Sequence, residues 1–220
     1  MSRFATVDEA LKRIRRGEMV LVADDEDREN EGDLTMAAEW VTAEAVNFML
    51  RWARGLVCMP IDPSYLQRLD VPPMVADGRA GCDTAFSVSI DHVGSGSGIG
   101  AADRAHTIKK IVDPSSRPSD FIQPGHVFPL RARPGGVLER RGHTEAAVDL
   151  CRLAGLAPAA VICEVLHDDG SPARLPFLEL FAQEHRVAII SVEQIADHRA
   201  GLGEMPAGEQ GVGASSRLLL

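Results

Sequence analysis

The run from Ala159 to Leu166, A-A-V-I-C-E-V-L, is apolar at every position but one. A half-exposed strand alternates apolar and polar residues, whereas a near-continuous run of strand length marks a strand covered on both faces. The one interruption is Glu164. An inward carboxylate there is costly unless it is paired, unless a raised pKa keeps it neutral, or unless it emerges at the end of the strand. A carboxyl with a raised pKa is also what acid–base chemistry at neutral pH requires, so Glu164 reads better as a functional residue than as a structural one.

Other short apolar runs alternate with helical patterns. Met19 to Ala23, Leu56 to Met59 (stopped by Pro60) and Val187 to Ile190 read as inner strands. Thr84 to Ile90 alternates as a half-buried strand with Phe86, Val88 and Ile90 inward, and His126 to Leu130 reads as an edge strand because Pro129 cannot donate to a ladder. Thr6 and Glu9 form a capping box for a helix with Val7, Leu11 and Ile14 on one face, closed by Gly17. Further helices are expected from Thr42 to Gly55, Ala101 to Val112, Glu145 to Ala154 (ended by Gly155), from Pro176, and from a Ser191 cap with Gln194 at its third position. The pattern predicts an α/β fold: one layered domain over residues 1–199, with a mixed β-sheet flanked by helices. Residues 200–220, rich in Gly, Ala, Ser and Glu, read as a flexible tail.

Just past the carboxyl end of the first inner strand lies D-D-E-D-R-E-N-E-G-D-L, Asp24 to Leu34, with seven acids in eleven residues. In open α/β sheets ligands bind at that end. A loop kept for solubility has no need of Arg28 in its middle or Gly32 near its end. An EF-hand is excluded: with Asp27 first and Gly32 sixth, the twelfth position is Ala38 rather than a bidentate Glu.

Arg140-Arg141-Gly142-His143-Thr144 precedes a helix whose free N–H groups, with a guanidinium and a hydroxyl, would seat a phosphate; alternatively Thr144 only caps the helix. The glycine-rich loop Gly94 to Gly100 would cradle a phosphate or simply make a tight turn. His143 with acidic-loop carboxylates would suit Mg²⁺ or Mn²⁺ rather than zinc. The four cysteines, Cys58, Cys82, Cys151 and Cys163, are scattered without a C-x-x-C pair, so no zinc site is expected. A net charge of −9 argues against a nucleic-acid surface. With no signal peptide and no apolar run of bilayer length, the chain is expected to be soluble and cytoplasmic, without membrane contact.

The motifs D-D-E-D-R-E-N-E-G-D-L, G-I-G-A-A-D-R-A-H-T-I, P-G-H-V-F-P-L and R-G-H-T-E-A-A-V-D-L, with the I-C-E strand, resemble those of the 3,4-dihydroxy-2-butanone 4-phosphate synthases. The similarity runs from about Phe4 to Arg199. It implies conversion of D-ribulose 5-phosphate to L-3,4-dihydroxy-2-butanone 4-phosphate and formate for riboflavin, with Mg²⁺ or Mn²⁺, in a homodimer with active sites at the interface. Carried over, Glu29 and His143 match the metal ligands. Arg28, Asp33 and the run Arg140, Arg141, Gly142, His143 and Thr144 match substrate and phosphate contacts, with Glu29 and Glu164 also touching substrate. His126 and Glu164 match residues essential to catalysis; the residues alone leave His126 unassigned. Asp33, Cys58 and Glu26 join them as catalytic candidates, and Asp24 lines the site.

Gly100 stands where that family usually has a hydroxyl residue, and Pro172 where a Met precedes Ala-Arg. The cysteine-rich zinc motif of the GTP cyclohydrolase II half, to which this domain is often fused, is absent, so a monofunctional chain is expected. The competing expectations are a relative that binds a sugar phosphate without turning it over, and a structural dimer subunit with a merely solubilising loop.

Overall fold

Seven strands form one mixed sheet: β1 (Val20–Ala23), β2 (Gly32–Ala37), β3 (Cys58–Ile61), β4 (Ile90–His92), β5 (Phe121–Arg131), β6 (Ala160–Glu164) and β7 (Ala188–Ser191). This is a computed structural model describing residues 4–25, 27–75 and 84–203. Across the sheet the order is β4-β5-β3-β6-β2-β1-β7. The β5/β3 and β1/β7 pairs are parallel and the others antiparallel. Among the described residues seven α-helices accompany it: α1 (Val7–Arg15), α2 (Ala43–Phe48, continued by a π-helical turn Met49–Ala53), α3 (Pro63–Arg68), α4 (Ala101–Val112), α5 (His143–Leu153), α6 (Leu175–His185) and α7 (Val192–Gly201).

The A-A-V-I-C-E-V-L run lies in the middle of the sheet, as its composition requires. Val161 and Cys163 of β6 join a core with Val46 of α2, Ile108 of α4 and Leu178 of α6. Ala160 and Ile162 point the other way, into a second core with Ile14 of α1, Leu150 of α5 and Ile195 of α7. Helices on both faces thus bury both sets of side chains. Helix α5 is the most enclosed, buried at every position from His143 to Cys151. The small residues Ala146 and Ala147 allow it to lie close to the sheet.

Several local expectations change. At α1 the Thr6 hydroxyl accepts the Glu9 N–H at 3.2 Å, while the Glu9 carboxylate lies 3.8 Å from Arg13. The Ser191–Gln194 box is complete in both directions. The second helix closes on Arg54, at φ +72°, rather than on Gly55. Pro60 does not stop its strand: β3 runs through it, paired with Leu130 of β5. The acidic run is not all loop, since Gly32 and Asp33 already belong to β2.

The Thr84–Ile90 pattern misleads. Phe86 and Ser87 make only isolated bridges and the strand proper is Ile90–His92; Ile90 is buried as expected, but Ser87 and Ser89 are buried where Phe86 and Val88 are not. Their polar groups are used: the Ser87 N–H donates to the Pro129 carbonyl at 2.9 Å, and Ser89 Oγ accepts the Gly125 N–H at 3.2 Å. β5 is not an edge strand, because β4 covers it. Pro129 is tolerated because β4 pairs with β5 only as far as Val127. α7 continues to Gly201, and the predicted tail beyond 203 lies outside the described residues, as do Glu26 and Cys82.

Candidate active site

The acidic loop joins β1 to β2, its ends held by the Ala23–Gly32 pairing. Asp24 organises it from within. Its carboxylate accepts the Glu31 N–H at 2.8 Å, the Glu29 N–H at 3.2 Å and the Arg28 guanidinium at 2.8 Å. Arg174, at the start of α6, latches the loop from outside by donating to the carbonyls of Glu29 and Asn30.

This loop faces the N-terminus of α5 across a cavity of about 350 Å³. Eight of the predicted residues line it: Arg28, Glu29, Asp33, Cys58, Arg140, His143, Thr144 and Glu164. Glu31, Thr84, Phe86, Leu130 and Ile162, none of them named as a site residue from the sequence, complete the wall. Gly142 is the N-cap residue of α5 and Thr144 lies inside the helix, so Thr144 is not its cap. The open face of Gly142 is filled by Arg140, whose Nη1 would stand 2.3 Å from an added Cβ. Arg140 in turn donates to buried Glu145 at 2.6 Å. Arg141 is exposed and does not line the cavity. Neither does His126, whose ring is 40 % exposed and pairs with Asp91.

Of the alternatives open to Glu164, the structure takes emergence at the strand's end rather than deep burial. Glu164 ends β6, half-buried, and accepts the Leu56 N–H at 2.8 Å. Gly55 makes room for it: a Cβ there would fall 2.5 Å from Glu164 Oε2. The buried carboxyl is its neighbour Asp33, 3 % exposed, which burial chiefly pushes up to about 7. His143 is equally enclosed. Burial pulls its imidazole down, but the carboxylates of Asp33, Glu29 (3.6 Å from Nδ1) and Asp24 outweigh this and lift it to about 9. Glu29 is held at about 2, first by His143, whose Nδ1 lies 3.6 Å from its carboxylate, and then, against burial, by Arg28. Burial raises the Cys58 thiol well above its usual range, leaving it neutral.

Asp24, Glu29 and His143 bring one ligand atom each to within 4.8 Å of one another. His143 Nε2 and Asp33 Oδ1 are buried without a hydrogen-bond partner, as expected of groups that await a ligand. Two hard carboxylates and one imidazole suit an octahedral Mg²⁺ or Mn²⁺ ion. In the glycine-rich loop, Asp103 of α4 accepts the Gly96 N–H at 3.0 Å and the Gly98 N–H at 3.1 Å, so the anion in that cradle is the chain's own.

The 3,4-dihydroxy-2-butanone 4-phosphate synthase family model matches residues 8–198. The chain belongs to this family. Within the synthase family it is 51 % identical over 198 residues to the 3,4-dihydroxy-2-butanone 4-phosphate synthase of Agrobacterium fabrum, covering 90 % of this chain and 93 % of that protein. It is 55 % identical over 200 residues to the riboflavin biosynthesis protein RibBA of Aquifex aeolicus, covering 90 % of this chain but only 49 % of that protein. The chain therefore spans about half the length of that relative. A solved synthase in complex with two magnesium ions superposes with a TM-score of 0.86 at 39 % identity, covering 92 % of this chain and all of the other. No helix among the described residues is long and apolar enough to cross a membrane.

Proposed function

We propose that the chain converts D-ribulose 5-phosphate to L-3,4-dihydroxy-2-butanone 4-phosphate and formate, supplying the four-carbon unit of riboflavin. The observation that carries this reading is one cavity holding the Asp24–Glu29–His143 ligand group together with Asp33, Glu164, Cys58, Arg28 and Arg140. A bound Mg²⁺ or Mn²⁺, held by Glu29 and His143 with Asp24 beside them, supplies Lewis-acid stabilisation of charge developing on the sugar's oxygens.

The chain's own groups do the rest. A proton must leave the carbon beside the ketone, the skeleton must shift, and one carbon must depart as formate. Asp33, poised near neutrality, and Glu164, anchored on the Leu56 N–H, present two carboxyl groups for successive proton transfers. Arg140 and Thr144 at the start of α5 bind the phosphate, with Arg140 pre-aimed by Glu145. The neutral Cys58 thiol closes the floor of the cavity. Arg28, Glu29 and Glu31 belong to a lid that keeps water from the intermediates.

A homodimer with sites at its interface accounts for His126, which lies outside its own chain's cavity. Val93, Ile99 and Ile122, each more than half exposed, give the β4–β5 edge an apolar surface for a second copy.

The deciding experiment is formate release from D-ribulose 5-phosphate with Mg²⁺ and again with EDTA, beside Glu164→Gln. Metal-dependent formate that disappears in the variant is expected. Sugar-phosphate binding without formate would instead make the protein a non-catalytic relative.

A further inference from the structure

Asp91 and His126 form a couple that the catalytic assignments leave out on the carboxylate side. Asp91 Oδ2 lies 2.6 Å from His126 Nδ1, and Asp91 Oδ1 accepts the backbone N–H of His126 at 2.9 Å. One carboxylate thus grips both the ring and the main chain of the same residue. The Asp91 side chain is 12 % exposed while the His126 side chain is 40 % exposed, so the carboxylate is the interior member and the imidazole the outer one.

The surrounding backbone is shaped to this pair. A register shift between Ile90 and Asp91 interrupts the β4/β5 ladder at the point where Asp91 must turn toward His126. Gly98 stands at φ +83°, and a Cβ there would lie 2.0 Å from Asp91 Oδ2 and 2.6 Å from His126 Nδ1. At Gly125 a Cβ would lie 2.7 Å from Asp91 Cγ and 2.2 Å from the Ile90 carbonyl carbon. Two glycines therefore clear the space that the couple fills, one of them in a backbone conformation that disfavours any side chain. Buried Arg104 of α4 adds a positive charge that Asp91 faces.

A carboxylate only accepts hydrogen bonds, so the shared proton belongs to Nδ1. We propose that Asp91 is a positioning residue for the reaction: it holds His126 in the Nδ1–H tautomer and leaves Nε2 as the ring nitrogen that exchanges a proton with the sugar phosphate. This rests on the synthase reading above. Nε2 takes a proton from substrate to give an imidazolium, which the Asp91 carboxylate stabilises, and returns it later in the same turnover, so the couple is unchanged overall. Carboxylate–imidazole pairs that fix a tautomer in this way belong to general acid–base catalysis on other folds.

The test compares wild type, Asp91→Asn, Asp91→Glu and His126→Gln by formate release with Mg²⁺, and by NMR of histidine-selective ¹⁵N-labelled protein at alkaline pH. In Asp91→Asn, kcat is expected to fall about 100-fold or more with KM within about threefold, and Asp91→Glu to recover a substantial part. Wild type should show one Nδ1–H imidazole that is missing in His126→Gln and becomes Nε2–H in Asp91→Asn. Near-wild-type turnover in Asp91→Asn overturns the proposal. So does lost turnover with the His126 tautomer unchanged, which would make Asp91 merely structural. If wild type itself releases no formate the synthase reading fails, while the tautomer measurement still decides whether Asp91 sets the His126 ring.

Discussion

Asp33 and Glu164 lie directly opposite each other on the antiparallel strands β2 and β6, and both line the same cavity. Neighbours in that register share a face of the sheet, so two carboxyl groups meet where one chain end of the sheet opens to substrate. Their environments differ: Asp33 is fully enclosed, whereas Glu164 is half-buried on a backbone N–H. Asp33→Asn keeps the shape and removes the titrating proton. The expected result is a loss of kcat of about 100-fold or more. The charge that lifts His143 goes with it, so the His143 imidazole should titrate at lower pH, which NMR would follow directly.

Gly55 provides a test that replaces no catalytic residue but disturbs the seat of one. In Gly55→Ala the new methyl would stand 2.5 Å from both the Glu164 main-chain oxygen and its Oε2. The first cannot yield without moving β6. Overpacking of this kind costs about 1–3 kcal/mol, and at this chain length each kcal/mol lowers Tm by about 2–4 °C. A calorimetric scan and a formate assay should show both the destabilisation and a fall in turnover as Glu164 loses its seat. An unchanged Tm would mean that the approach of Glu164 to Gly55 is looser than the structure has it.

Metal affinity should depend on the loop's internal brace as well as on its ligands. Glu29→Gln and His143→Gln are expected to abolish measurable Mn²⁺ binding by electron paramagnetic resonance. Asp24→Asn loses either a ligand or the carboxylate that fixes Glu29, and should weaken binding about 10–100-fold. Tight Mn²⁺ binding in His143→Gln would remove His143 from the ligand set.

The metal-free protein should become less stable as pH rises. Asp33, ordinarily near 3.8, is held at about 7, and His143, ordinarily near 6.5, at about 9. Each folded-state value exceeds the unfolded one. Each therefore contributes stability that is complete below the unfolded value and lost as pH climbs through the folded one. The windows are about 3.8 to 7 and 6.5 to 9. Glu29 acts in the opposite sense, but only between about 4.5 and 2. Tm in EDTA is thus expected to fall between pH 6.5 and 9. Saturating Mg²⁺ should flatten that slope, because binding displaces the His143 proton.

Helix α7 belongs to the core, although it runs into the stretch whose composition reads as a tail. Arg199 Nη1 donates to buried Asp149 at 2.7 Å and to the Gly135 carbonyl at 2.8 Å, beneath the α5 face of the sheet. Arg199→Ala strands a buried carboxylate whose remaining partners among the described residues are Arg152 and the Val137 N–H. A loss of about 3 kcal/mol in denaturant unfolding is expected, at the lower end of the cost of breaking a buried pair.

Much of this site was legible because its residues break local rules. An acidic run hung from an inner strand, and a carboxylate in a buried strand, are anomalies that periodicity exposes. What escaped depends on pairing across the chain. Pro60 and Pro129 look like strand limits in sequence, yet each is accommodated by what its neighbours leave unpaired. An apolar strand makes Glu164 look like a buried acid unless it emerges at the strand's end, which it does; the enclosed acid is Asp33, because β2, which begins inside the acidic run, lies between β6 and β1. Alternation points Ser87 and Ser89 outward, yet both lie before β4 and are buried where they bond to β5, Ser87 to the Pro129 carbonyl and Ser89 to the Gly125 N–H. Asp91 gave no signal, since a single acid at the end of a strand is common.

Asp103 has a consequence for anyone wishing to rebuild this molecule. By filling the turn before α4 with a carboxylate of its own, the chain closes a place where a free anion would otherwise settle. Taking that carboxylate away, as in Asp103→Ala, would leave the Gly96 and Gly98 N–H groups vacant at the start of a twelve-residue helix, a receptor made by subtraction alone.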